Sequence, residues 1–412
     1  MKKVVIIGTG YVGLPLAIVL ARKGFQVVGV DIDENIISAI NNGVLTIKEK
    51  ELNKIFQEKV VKKNLKGSTI PCRADIFVIA VPTPLLKRKK QADLSFVIDG
   101  LHSILPFLRK GNLIIVESTI PPLTCMDVIT PIIEENTKME VGSDIYLAHC
   151  PERILPGDVF NEIVQNDRII GGVNSESNKI ALEMYSSFVE GEIYETDDVT
   201  AELCKLVENT YRDVNIALSN ELSFVADTLN LDIGQVIALA NKHPRVNMLN
   251  PGIGVGGHCI PLDPWFITEV DPNNTVLIQT ARRLNDNIPN LVARKIRRIL
   301  SGINSPKIIA LGLAYKPNTS DTRESPAIQI IDSLITDGYH VDSYDPLVEG
   351  KEYISLKEIA KGSDCIIVLV EHDIILKNIR DDYEEIIKVL KSNIILNSQC
   401  KSLMESNDDM LN

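Results

Sequence analysis

A run of β-branched residues from Lys2 to Gly8 opens directly into Gly8-Thr-Gly10-Tyr11-Val12-Gly13, and an apolar stretch of helical period follows. Strand, three glycines at fixed spacing, then helix restricts the fold more than any other feature of the chain. The glycines permit a tight turn, close approach of backbone to a pyrophosphate and close packing of helix on strand, while the helix N-terminus favours negative charge. Asp31 closes the next β-branched run. At that spacing its carboxylate accepts hydrogen bonds from adenosine ribose hydroxyls and repels a 2′-phosphate. The pattern predicts a dinucleotide site that prefers NAD to NADP, built from Gly8, Gly10, Tyr11, Val12, Gly13 and Asp31. A glycine-rich turn without cofactor is the competing account.

The same alternation continues. Phe25 to Asp31, Asp75 to Val81, Asn112 to Ser118, Asp144 to His149 and Arg168 to Gly172 read as buried strands of a parallel sheet, separated by helical segments. Asp197 and Asp198 then supply a helix-capping signal. Leu203, Leu206, Val207, Tyr211, Val214, Leu218, Leu222 and Val225 recur at intervals of three and four, the stripe of one long helix from Val199 to Leu229. Such a helix reads as a spine between domains, with a face for a second subunit. From Lys307 a second α/β pattern begins, with strands at Lys307 to Leu311, His340 to Tyr344, Asp364 to Val370 and Asn393 to Leu396 and a helix at Pro326 to Thr336. The expected class is α/β: two Rossmann-like doubly wound parallel-sheet domains joined by a long central helix and a helical dimerisation region. The expected boundaries are 1–196, 197–300 and 301–412, and the last dozen residues read as a frayed tail.

Composition narrows the function. Lys and Arg total 43 against 55 Asp and Glu, a net charge of −12 that repels polyanions and argues against a nucleic-acid partner. No run of about 18 apolar residues suggests a membrane span, and the apolar run after Met1 breaks at Gly8, too early for a signal peptide. A cytoplasmic protein with reduced thiols is expected. The seven cysteines form no CxxC pair, and the His149-Cys150 and His258-Cys259 pairs lack metal-ligand spacing, so neither a disulfide framework nor a metal is expected.

Three features carry chemistry. In Asn250-Pro-Gly252-Ile-Gly254-Val-Gly256-Gly257-His258-Cys259, clustered glycines let backbone and ligand approach one thiol closely, which suits a nucleophile; a packing cysteine in a tight turn would share the pattern. Lys205 and Asn209 lie four apart on the long helix and so share a face. They could stabilise an oxyanion, or Lys205 could be a solvated surface lysine. The run Lys87-Arg-Lys-Lys90 reads as an exposed loop or a phosphate contact.

Taken together, the chain resembles the UDP-sugar 6-dehydrogenase family, four-electron nucleotide-sugar oxidoreductases, over nearly its whole length. The resemblance rests on the N-terminal fingerprint, Val81-Pro-Thr83-Pro84, Glu117-Ser-Thr119, Cys150-Pro-Glu152-Arg153 with Leu155-Pro-Gly157, Lys205 with Asn209, Gly256-Gly257-His-Cys259 with Asp263, and Gly312-Leu-Ala-Tyr-Lys316-Pro with Asp321-Thr-Arg323-Glu324-Ser. It implies that Cys259 is the nucleophile, that Lys205 and Asn209 stabilise oxyanions, that Asp263 orients Lys205 or water, and that Glu152 with Thr119 handles protons. Thr83 and Thr119 would join the cofactor site. Glu152, Arg153, Lys205, Asn209, Arg245, Asn247, Gly256, Lys316 and Arg323 would meet a UDP-sugar bound largely by the C-terminal domain. Asn241-Lys-His243-Pro244-Arg245-Val-Asn247 and His258 are similar to the branch acting on UDP-N-acetylhexosamines, and Asp263-Pro264-Trp265-Phe266 resembles members acting on UDP-N-acetyl-D-mannosamine, enzymes of surface polysaccharide synthesis. A homodimer is implied. One departure is Pro121-Pro-Leu123-Thr124, where members commonly carry a glycine near Leu123.

Overall fold

Residues 2–47, 49–154, 157–348 and 355–401 are described by the computed structural model. Leu155 and Pro156 of the Leu155-Pro-Gly157 motif, and the tail beyond Lys401, lie outside the described residues.

Ten strands occupy the N-terminal half: β1 (Lys3–Ile7), β2 (Gln26–Val30), β3 (Leu65–Ser68), β4 (Ile76–Ile79), the hairpin pair β5 (Leu85–Leu86) and β6 (Gln91–Ala92), β7 (Leu113–Val116), β8 (Tyr146–His149), β9 (Arg168–Gly172) and β10 (Ile193–Asp197). Eight form one sheet in the order β10-β9-β8-β7-β4-β1-β2-β3. Val4, Val5 and Ile6 are all fully buried, because helices cover both faces; this is why the central strands read as uninterrupted β-branched runs. From β3 to β8 the pairing is parallel. Strand β9 departs from the expected parallel direction: it runs antiparallel to β8, with Ala148 opposite Gly172 and His149 opposite Gly171. β9 and β10 lie at the edge of the sheet, where a mixed direction is tolerated. The consequence is local. Carried on, that register brings Arg168 opposite Glu152.

The spine helix runs Asp198–Thr228. Asp197 caps it, its carboxylate accepting from Thr200 N–H at 2.8 Å and Thr200 Oγ1 at 2.7 Å. Only part of the expected stripe is buried in the single chain. Leu206 is fully covered, whereas Leu203, Val207, Tyr211, Leu218 and Val225 are 40–55% exposed. Four further strands, β11 (Lys307–Leu311), β12 (His340–Tyr344), β13 (Cys365–Val368) and β14 (Ile394–Leu396), make a parallel sheet in the order β12-β11-β13-β14, with the helix Pro326–Thr336 packed on it. The chain divides into two compact units, one of residues up to Glu208 with Trp265–Pro272, the other of Asn209–Pro264 with residues from Asn273 onward. Among the described residues, no helix is long and apolar enough to cross a membrane.

Candidate active site

In the first unit, the turn after β1 is shaped by its glycines in three different ways. Gly8 has φ +90°, and a Cβ there would lie 2.6 Å from the Ala80 carbonyl oxygen; a Cβ on Gly13 would lie 1.9 Å from the Gly8 carbonyl oxygen. Those two glycines serve the packing of strand, turn and helix. A Cβ on Gly10 would meet no protein atom, so its bareness leaves room outside the fold. The helix Gly13–Arg22 begins beside it with no side-chain cap and no acid in its first turn; Leu14 N–H donates to the Gly10 carbonyl at 3.1 Å and Pro15 has no N–H, so what the helix offers an anion is chiefly the positive end of its dipole. Asp31 Oδ2 accepts from Thr9 N–H at 2.9 Å and Thr9 Oγ1 at 3.0 Å, and Oδ1 accepts from Asp33 N–H at 3.1 Å. Oδ2 is filled by its two donors, and Oδ1, with one, keeps lone-pair capacity for a ribose hydroxyl. Thr83 Oγ1 is buried and, among the described residues, has no hydrogen-bond partner. An uncapped helix, a pinned carboxylate and an orphaned hydroxyl fit a dinucleotide. Tyr11 and Val12 lie in the same turn, and Thr119 is half-buried just beyond β7.

The same unit holds an acidic cluster at the ends of β7, β8 and β9. Glu152 is 8% exposed; its Oε1 accepts from the Arg153 N–H at 2.7 Å and its Oε2 from Arg168 Nη2 at 2.9 Å. Glu117 lies behind, receiving the Tyr185 hydroxyl at 2.6 Å. Burial and the neighbouring Glu152 push its carboxyl up to about 8. Arg153 is engaged by Glu208 at 2.9 Å and by the Asp167 carbonyl. His149 is fully buried and pulled down to about 3 by burial, so the His149-Cys150 pair holds a neutral imidazole. Lys205, half-buried on the spine helix, adds to that depression. The basic run forms the turn of the β5–β6 hairpin, and Lys90 Nζ sits 3.8 Å from the centre of the Trp265 ring.

In the second unit, Cys259 is exposed, the only one of the seven cysteines that is. Burial pushes the Cys365 thiol up to about 12 and Cys400 to about 11, and raises Cys125 and Cys150 as well, leaving all four as inert packing groups. The Cys259 carbonyl accepts from Asp263 N–H at 2.9 Å, opening the helix Asp263–Val270. Asp263 is buried and takes the Asn209 amide at 2.6 Å. The glycines of this loop have a second purpose. A Cβ on Gly256 would lie 2.6 Å from the Glu324 carbonyl oxygen, and one on Gly257, where φ is +85°, would lie 2.8 Å from the Tyr315 ring. They let the cysteine loop lie flat against residues 315–326. There Gly257 N–H donates to the Arg323 carbonyl at 3.1 Å, Asp321 holds the Arg323 guanidinium by 2.6–3.0 Å hydrogen bonds, and Lys316 Nζ stands 5.6 Å from the centre of the Tyr315 ring. Asn247 is tied by its carbonyl to Asn215 at 2.7 Å, and Arg245 is exposed on the same loop.

The turn after β11 repeats the geometry of Asp31 with a different outcome. Asp345 Oδ2 accepts from Leu313 and Ala314 N–H at 2.7 and 3.2 Å, but it is fully buried and also bonded to His372 Nε2 at 3.0 Å. His372 Nδ1 in turn accepts from Asn318 N–H. Its carboxylate is spent inside the fold. Sequence reasoning passed over Arg168, Tyr185, Asp345 and His372; an arginine opening a β-branched strand was the one visible signal.

Models of three segments of one family match the chain: its NAD binding domain at residues 2–189, its central domain at 199–287 and its UDP binding domain at 309–400. The chain belongs to the UDP-glucose/GDP-mannose dehydrogenase family. As a member it is an NAD-dependent nucleotide-sugar dehydrogenase. The UDP-N-acetyl-D-mannosamine dehydrogenase of Methanococcus maripaludis strain S2 is 47% identical, over 98% of this chain and 94% of that protein. A structure of the S. aureus UDP-N-acetyl-mannosamine dehydrogenase is 44% identical with a TM-score of 0.88, covering 96% of this chain and 94% of the other. The UDP-D-ManNAc dehydrogenase of Pyrococcus horikoshii is 38% identical with a TM-score of 0.91, covering 96% and 95%.

Proposed function

We propose that the chain oxidises the C6 alcohol of UDP-N-acetyl-D-mannosamine to the carboxylate in two successive two-electron steps, with Cys259 as the covalent nucleophile. The observation that carries this reading is the contrast among cysteines: four are buried with raised thiols, and Cys259 is exposed on a glycine loop beside the Asn209–Asp263 pair. NAD, when bound, accepts a hydride from C6, and two are reduced per sugar. The Cys259 sulfur adds to the aldehyde carbonyl to give a thiohemiacetal; loss of the second hydride leaves a thioester, which water cleaves to the uronate and the regenerated thiol. Lys205 and Asn209 stabilise the oxyanions, Asp263 orients Lys205 or the attacking water, and Glu152 with Thr119 moves protons through water. Arg153, Arg245, Asn247, Gly256, Lys316 and Arg323 hold the substrate. Residues 1–196 form the cofactor domain, 197–300 the helical domain with the cysteine loop and 301–412 the UDP-sugar domain, in a cytoplasmic homodimer.

The test is NADH formed per mole of UDP-N-acetyl-D-mannosamine, UDP-N-acetylglucosamine and UDP-glucose. Two NADH are expected from the first and little turnover from the others. For Cys259→Ser, uronate formation should cease, with at most one NADH per sugar; undiminished four-electron turnover removes Cys259 from the mechanism, and a preference for another sugar reassigns the substrate.

A further inference from the structure

The cluster behind Glu152 is not used by the chemistry just proposed, yet its construction is specific. Arg168 is 4% exposed in its side chain and directs Nη2 to Glu152 Oε2 at 2.9 Å. Its guanidinium carbon stands 4.9 Å from the centre of the Tyr185 ring, and Nη1 stays 3.8 Å from Glu117 Oε1, the oxygen that takes the Tyr185 hydroxyl. Among the described residues, Arg168 Nε and Nη1 and Glu117 Oε2 have no hydrogen-bond partner. Each such group is a net cost to stability, and well-packed apolar residues would fill the site more stably. A polar cluster kept at that cost has a use other than stability.

The backbone explains how it arises. Glu117 follows β7, Glu152 lies just beyond β8, and Arg168 opens β9, the strand whose antiparallel direction brings residues 152 and 168 face to face. Tyr185 ends the helix Ser175–Tyr185 and closes the cluster from below with Cys150. We propose that Arg168 is the positioning residue of Glu152: it fixes the carboxylate in the orientation from which Glu152 exchanges protons with substrate, and Glu117 with Tyr185 forms the seat that aims the guanidinium. This rests on the reading of Glu152 as a proton-handling group. The groups facing Glu117 are Glu152 and Cys150 from beyond β8, Arg168 from β9 and Tyr185 from its helix. Burial holds Glu117 neutral below about pH 8, so at neutral pH it does not compete for Arg168. Once ionised, it draws the guanidinium away from Glu152.

The experiment is a double-mutant cycle on the full chain with kcat, KM and thermal unfolding read for each variant: Glu152→Gln, Arg168→Gln, Arg168→Lys, and each Arg168 change combined with Glu152→Gln. Arg168→Lys should lower kcat by about 10²-fold, the scale of a 1 Å misplacement, with KM changed far less. In the Glu152→Gln background, changing Arg168 should cost no further kcat. Additive losses overturn the positioning role and leave Glu152 standing; a Glu152→Gln variant with the parent's kcat overturns the Glu152 reading itself. If Arg168→Gln fails to fold, Arg168→Lys carries the cycle. The parent's kcat should also fall as pH passes about 8, and Glu117→Gln should abolish that fall; its persistence would count against the seat.

Discussion

Leu123 adopts φ +74°, the left-handed region that costs a residue with a Cβ roughly 1–2 kcal/mol. What keeps it there is Glu202 on the spine helix. That carboxylate is fully buried and accepts the Leu123 N–H at 2.6 Å and the Cys125 N–H at 2.9 Å, so the loop after Thr119 is pinned from outside itself. Leu123→Gly should therefore be neutral or stabilising by up to about 1 kcal/mol, since relief of strain outweighs the added freedom of the unfolded chain. Glu202→Ala should cost about 2–3 kcal/mol by leaving buried donors unmet. Urea unfolding of both variants tests the account; a Leu123→Gly loss larger than about 1 kcal/mol would show that the side chain, not the backbone clamp, sets this loop.

At the scale of elements, the sequence was most legible where burial is symmetric. Lys307–Leu311, Arg168–Gly172 and Pro326–Thr336 fall where their periodicity places them, because covered strands and one-sided helices write their burial into the residue pattern. Leu65–Ser68 escaped notice because Leu-Lys-Gly-Ser carries no β-branched residue, and the direction of β9 escaped it because alternation along a strand is the same read either way. Hence Glu152 and Cys259 stood out as residue types in motifs, while Arg168, whose importance depends on register, did not. The spine helix presents a different limit. Its pattern marks Leu203, Val207, Tyr211, Leu218 and Val225 as apolar, and within one chain they remain exposed at intervals of four and seven. That spacing repeats a seam that a second copy of the helix would bury. Leu218→Asp, at 51% exposure, should shift the proposed dimer to monomer in sedimentation velocity while leaving far-UV circular dichroism intact. A parent that sediments as a monomer would remove the homodimer.

For the whole molecule, buried titratable groups set opposite slopes on either side of about pH 4.5. Glu117 and Glu202 are raised by burial from 4.5 to about 8 and about 7. The folded chain then keeps protons that the unfolded chain has released, and stability falls as pH rises from about 4.5 to 8. His149, pulled from 6.5 to about 3, refuses a proton the unfolded chain accepts, so its contribution is lost as pH falls from 6.5 towards 3; Asp345, lowered from 3.8 to about 2, adds a further loss below 3.8. Between 4.5 and 6.5 the two glutamates outweigh the one histidine, so stability is highest near pH 4.5, declines gently to 6.5 and declines more steeply above it, where the histidine no longer opposes. The net charge of −12 adds self-repulsion in the same direction at high pH, but salt distinguishes the two causes: surface repulsion is screened within about 10 Å at 0.1 M, and buried carboxyls are screened far less. Calorimetric Tm should fall from pH 6.5 to 8.5 even in 0.5 M salt, and Glu117→Gln combined with Glu202→Gln should flatten that limb without moving the acid one. A parent Tm that rises over this range, or a decline that salt abolishes, would assign the alkaline limb to the surface instead of to Glu117 and Glu202.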